Sequence, residues 1–225
     1  METETSWVQE QANLMTAEHG FLGVPLQTFE IGGRTHLVRL LENGLLPESK
    51  VLDIGCGVLR VAYWVMRFLN PGGYCGIEPA RQRVELGQSY FFSPEELAHK
   101  KPRFDFNADF DSWVFETTFD YFIACSIWTH CSKAHMETTL DGFLENTGPS
   151  GVFLVSYLPA NGPEDDYMGD TWVGTSHEST TPGIVRHSLD WIRDACHRRQ
   201  LHVRELPGID CDSQYWLRID KLRSS

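Results

Sequence analysis

The run Val51-Leu52-Asp53-Ile54-Gly55-Cys56-Gly57 is β-prone and ends in two glycines one residue apart, and residues 59–69 after it contain no helix breaker. A strand, a glycine turn and a helix in that order make the crevice in which open α/β sheets bind ligands, because glycine lets backbone approach a cofactor closely. A dinucleotide would use the same turn, but Gly-x-Gly-x-x-Gly is incomplete: Val58, Leu59 and Arg60 follow Gly57, and their side chains block the approach of a pyrophosphate. A nicotinamide-dependent oxidoreductase is therefore a remote alternative. Glu78 closes a second β-prone run, 74–78, roughly twenty residues further on, where α/β nucleoside sites carry an acid. One carboxylate there can accept from both ribose hydroxyls. Its competing explanation is an acid that favours the dipole of the helix after Pro79.

A hydrophobic strand followed by Asp53-Ile-Gly55-Cys-Gly57 resembles the first motif of class I S-adenosylmethionine (SAM)-dependent methyltransferases. The resemblance extends from about Leu37 to Ile219, and the order of strands and helices agrees with the seven-stranded sheet of that family. Leu59 stands where many members have a third glycine. The resemblance implies that Gly55 and Gly57 line the methionine portion of SAM, and that Asp53 orders the turn or meets the cofactor's ammonium, a pairing of opposite charges. It places Asp109 on the adenine amine and Phe110 over the ring, with an Asn/Asp surface turn as the competing explanation. Residues 119–130 are similar to the fourth motif, which puts Ser126 and Ile127 beside the cofactor and Trp128 either at the wall of the reaction site or facing the sulfonium. His130 titrates near neutrality and is a candidate general base for a hydroxyl acceptor; a packed His130 behind a helix-capping Thr129 is the other reading.

The polar segment 159–187 is too long for a plain connection in a compact domain and reads as an acceptor-binding loop. With Tyr157 at its start, it offers Tyr167, Trp172 and His177 as aromatic and polar pocket groups. Asp165, Asp166 and Asp170 provide hard oxygen ligands but form no ordered acid set on strand ends, so no metal is expected.

The elements that must position these residues alternate. Strand-like runs at 50–54, 74–78, 103–110, 119–126 and 151–158 are separated by helical stretches at 59–69, 79–88 and 133–144, and a helix at 188–200 precedes strands at 201–206 and 214–220. This pattern predicts a single α/β domain, doubly wound, with a mostly parallel sheet, helices on both faces and an antiparallel last strand. A helix over 6–18, broken by Gly20, Gly23 and Pro25, makes residues 1–33 a cap or lid on a domain spanning 34–225.

Bulk properties narrow the partners. A formal charge of -12 disfavours nucleic acid and anionic membranes. No run approaches the ~20 apolar residues of a membrane span, and the first residues lack a basic-then-apolar leader, so a cytoplasmic protein is expected. The six cysteines show no metal-finger spacing and read as reduced thiols. The expected function is methyl transfer from SAM to a hydroxyl or amine of a small, secondary-metabolite-like acceptor. O-methylation of a sugar hydroxyl is the nearest alternative, and a SAM-binding module without catalysis a more distant one; oligomeric state is left open.

Overall fold

The computed structural model describes residues 5–175, 179, 181–210 and 212–222. Its centre is a seven-stranded sheet in the order β3-β2-β1-β4-β5-β7-β6. The strands are β1 (Val51–Ile54), β2 (Tyr74–Ile77), β3 (Arg103–Asp105), β4 (Phe119–Ala124), β5 (Thr147–Tyr157), β6 (Leu201–Ile209) and β7 (Tyr215–Lys221). The first five pair in parallel; β7 runs antiparallel to both β5 and β6.

Alternation along the inner strands sorts side chains to the two faces. Leu52, Ile54, Phe122, Ala124, Phe153 and Val155 face one core, which α6 (Lys133–Asn146) and α7 (Leu189–Arg198) cover with Met136, Leu140, Phe143 and Ile192. Val51, Tyr121, Ile123, Val152 and Leu154 face the other. There α1 (Trp7–His19), α2 (Phe29–Glu42), α3 (Ala62–Phe68) and α4 (Arg81–Phe91) contribute Ala12, Met15, Leu40, Val65 and Val84, and α5 (Pro94–Lys100) packs Leu97 at the margin. Both faces are apolar and covered, as a parallel sheet requires.

Boundaries differ from the sequence reading where tertiary contact decides them. The second helix begins at Phe29, so it crosses the expected limit of the cap at residue 33. Its Gly33 makes this close packing possible, since a Cβ there would stand 2.3 Å from the Arg60 carbonyl and 2.8 Å from the Trp64 ring. The third strand is three residues long, not eight, because Asn107 turns the chain by bonding Asp105 and Asp111. The helix after the glycine turn starts at Ala62, with Leu59 in a left-handed conformation before it. Among the described residues, no helix is long and apolar enough to cross a membrane.

Candidate functional site

The carboxyl ends of β1, β2 and β4 open into a cleft lined among others by Asp53, Gly55, Gly57, Glu78, Phe110 and Ser126. Gly55 has φ +71° and Gly57 φ +54°. A Cβ on Gly55 would lie 2.0 Å from Ile127 Cδ1, so glycine is what lets the ends of β1 and β4 meet. The amides of Gly55 and Cys56 both donate to the Ile77 carbonyl, at 2.8 and 3.0 Å, which fixes the turn to β2.

Glu78 is buried, and its Oε1 and Oε2 accept the backbone N–H groups of Ala80 and Gly57, each at 3.0 Å. Arg83 Nη1 stands 3.9 Å from Oε1. A carboxylate has about four lone-pair sites, so these two bonds leave acceptor capacity for hydroxyls in the cleft. Asp53 is fully buried with Oδ2 accepting from Tyr74 Oη at 2.7 Å. Burial outweighs this bond and the nearby His36, and raises its carboxyl to about 6.

Ser126 sits just past β4 with φ +60°, and a three-membered network holds it there. Its N–H donates to Ser156 Oγ at 2.7 Å, Ser156 Oγ donates to Gln214 Oε1 at 2.6 Å, and Gln214 Nε2 donates to Ser126 Oγ at 2.6 Å. A left-handed serine costs about 1–3 kcal/mol, which this closed set of bonds offsets.

His130 also lines the cleft. Its Nδ1 lies 2.8 Å from the Val173 carbonyl, so the neutral ring carries its proton there. Burial lowers its pKa, opposed by the carbonyls of Val173 and Gly183, and the ring is neutral at pH 7. Trp172 stacks on it at 6.0 Å and touches Phe110 at 6.1 Å. This brings the long loop to the same cleft as β4.

The expected residues Asp53, Gly55, Gly57, Glu78, Phe110, Ser126, Ile127, His130 and Trp172 therefore converge on one cleft. Four do not line it. Asp109 is exposed beyond the left-handed Phe110. Trp128 is in the core, donating to Thr139 Oγ1 and packing on Phe153, because the turn after Ile127 carries it under the sheet. Tyr157 is buried beside Tyr215 with its hydroxyl donating to Glu205. Tyr167 bonds the Thr171 carbonyl outside the cleft. His177 lies outside the described residues.

The sequence reading missed Arg60, Cys125, Arg83 and the stretch from Leu22 to Pro25, all of which line the cleft. Arg60 follows the glycine turn and Cys125 lies within the 119–130 motif, so both had a local signal. Leu22 to Pro25 arrive from the far end of α1 and have no spacing signal.

No protein-family model matches the chain. Solved structures do. Magnesium protoporphyrin IX methyltransferase from Synechocystis PCC 6803, with bound SAM, is 13% identical over 99% of this chain and 87% of that one, with a TM-score of 0.60. The glycopeptide N-methyltransferase MtfA complexed with SAM is 11% identical over 84% and 94%, at 0.62. A SAM-dependent methyltransferase from Clostridium acetobutylicum is 12% identical over 88% and 93%, at 0.60. At these identities the likeness is one of fold: the chain has the class I methyltransferase fold.

Proposed function

We propose that this chain is a cytoplasmic SAM-dependent methyltransferase that acts on a hydroxyl or amine of a small acceptor. The observation that carries the reading is Glu78, a buried carboxylate fixed by two backbone N–H groups at the mouth of the β1–β2 crevice, with the glycine turn and Asp53 beside it. In this reading Glu78 binds the ribose hydroxyls, Asp53 faces the ammonium, and the Gly55–Gly57 turn receives the methionine portion. Phe110 covers the adenine, and Ser126 and Ile127 close the reaction side. Residues 1–33 cap the cofactor, a role supported by Leu22 to Pro25 in the cleft wall.

SAM, when bound, would supply an electrophilic methyl on a sulfonium for in-line displacement by an acceptor's lone pair, the carbon–sulfur bonding pair leaving on S-adenosylhomocysteine (SAH). Alignment alone contributes several kcal/mol to such a displacement. His130, neutral and in the cleft wall, is the group assigned to take the acceptor's proton. Trp172 contributes an aromatic surface for the acceptor.

Calorimetric titration with SAM, SAH and NADH tests the reading. Micromolar binding of the two sulfur nucleosides and none of NADH is expected; no binding of either sulfur nucleoside would overturn it.

A further inference from the structure

The cleft floor holds a cluster of charged groups that the methyl-transfer scheme does not use. Cys125 Sγ lies 3.6 Å from His36 Nε2 of α2 and 3.6 Å from Arg60 Nη2 of the turn after β1. Arg60 Nη2 is bound to Asp212 at 2.8 Å, and His36 Nε2 stands 3.6 Å from Asp210 Oδ2, both acids lying in the turn between β6 and β7. Ser126 Oγ is 3.8 Å from the sulfur. Cys125 lines the cleft, as does Arg60.

Two familiar assignments fail here. A Cys-His-Asp triad uses opposite nitrogens of the imidazole, whereas Cys125 and Asp210 both meet Nε2, and the buried Nδ1 has no hydrogen-bond partner among the described residues. The ligand atoms of His36, Cys125 and Asp212 lie within 4.8 Å of one another, close enough for a metal ion. The Arg60 guanidinium, however, already bonds Asp212 and contacts the sulfur, and a ligating histidine has a partner on its outer nitrogen that Nδ1 lacks. What the arrangement suits is an anion on sulfur, with two cations at contact distance. Burial and Asp212 oppose that charge, yet His36 and Arg60 outweigh them and lower the thiol's pKa. Cys56, Cys75, Cys131 and Cys196 are buried and pushed the other way.

We propose that Cys125 is a thiolate that takes soft carbon electrophiles at the cleft floor, a covalent modification site whose occupation closes the cleft to the cofactor. With an alkyl iodide the sulfur forms the new bond to carbon, the carbon–iodine bond breaks, and iodide leaves with the bonding pair. No proton moves in this step, because the sulfur reacts as the thiolate that His36 and Arg60 stabilise. Only the closing of the cleft rests on the SAM reading; the reactivity does not.

The test is alkylation of the full folded chain with iodoacetamide between pH 6 and pH 10, followed site by site by mass spectrometry. Cys125 should be labelled at least tenfold faster than Cys56, Cys75, Cys131 and Cys196, with its rate levelling off at a lower pH than a free thiol's does. In His36→Gln that plateau should move upward by a unit or more. Labelling of Cys125 no faster than of the four buried thiols, or a wild-type rate still climbing through pH 9, would overturn the thiolate; the wild-type profile decides even if the variant does not fold. Excess SAH should slow the labelling at least fivefold. Unchanged labelling in a protein that calorimetry shows to be saturated with SAH would overturn the closure alone.

Discussion

Glu78 Oε2 accepts the backbone N–H of Gly57 at 3.0 Å, so the acid that closes β2 also holds the glycine turn that closes β1. Any nucleoside bound through Glu78 is thereby placed against that turn. Glu78→Ala removes both the ribose acceptor and the turn's anchor, and should weaken SAH binding tenfold or more, about 1.4 kcal/mol or above. Glu78→Gln keeps one oxygen but presents an amide donor where the second N–H now points, so its affinity should fall between the two. Calorimetry on all three proteins checks the order.

Gly55 carries φ +71° and meets Ile127 at a distance no Cβ can share. Gly55→Ala should cost about 1–3 kcal/mol in urea unfolding from the left-handed backbone alone. It should also lower cofactor affinity, since Ile127 must swing into the cleft. Gly57→Ala is the control: φ is again positive, but the nearest atom to its Cβ would be 4.0 Å away. Its stability loss should be the smaller of the two.

How much of this was legible beforehand follows from the range of each contact. The inner strands, the glycine turn and Glu78 announce themselves locally, because buried parallel strands are apolar runs and a tight turn needs glycine. Trp128 and Tyr157 read as pocket residues because alternation does not say which face of the sheet an aromatic side chain takes at a strand end. Asp109 was placed by motif position, while a left-handed Phe110 and the Asn107 bonds set the true course of the chain. His36 and Asp210 stand on α2 and the β6–β7 turn, far apart in sequence, so their pairing was invisible to any window of residues.

His130 is the proposed base, and the loop contact to Val173 orients its ring. With an acceptor in hand, His130→Ala should lower kcat by about a hundredfold, the lower end of what general-base catalysis contributes. Turnover within about threefold of wild type at saturating substrate would remove the base and leave alignment as the whole mechanism.

Asp53 and Tyr74 make one hydrogen bond in a fully buried place, and burial wins, raising Asp53 to about 6. An acid raised above its unfolded value of 3.8 costs stability as pH climbs from there to about 6, and the full cost, on the order of 3 kcal/mol, is present at pH 7. Asp53→Asn should therefore be more stable than wild type at pH 7, with the gap closing below pH 4. A bound ammonium would stabilise the ionised form, so SAM binding should tighten as pH rises through about 6, and Asp53→Asn should lose both the affinity and its pH dependence. Thermal melts and calorimetry from pH 4 to pH 8 measure the two effects.

Asp210 is buried too, but its charge is supported on every side. Its Oδ1 accepts the N–H groups of Asp212 and Gln214, each at 2.9 Å, and its Oδ2 accepts Trp216 Nε1 at 2.7 Å with His36 nearby. Burial alone would raise the carboxyl; His36 and these donors outweigh it and hold Asp210 at about 2. A carboxylate depressed below its unfolded 3.8 contributes stability above that value and loses it as pH falls through about 2. The shift of roughly two units corresponds to on the order of 2–3 kcal/mol. Asp210→Asn cannot satisfy three donors and leaves the buried His36 without its carboxylate partner, so it should be destabilised by at least that amount at pH 7. Urea unfolding of the two proteins at pH 7 and pH 2.5 checks the sign: the gap must shrink in acid, and a gap independent of pH would mean that the carboxylate's charge contributes nothing beyond its shape.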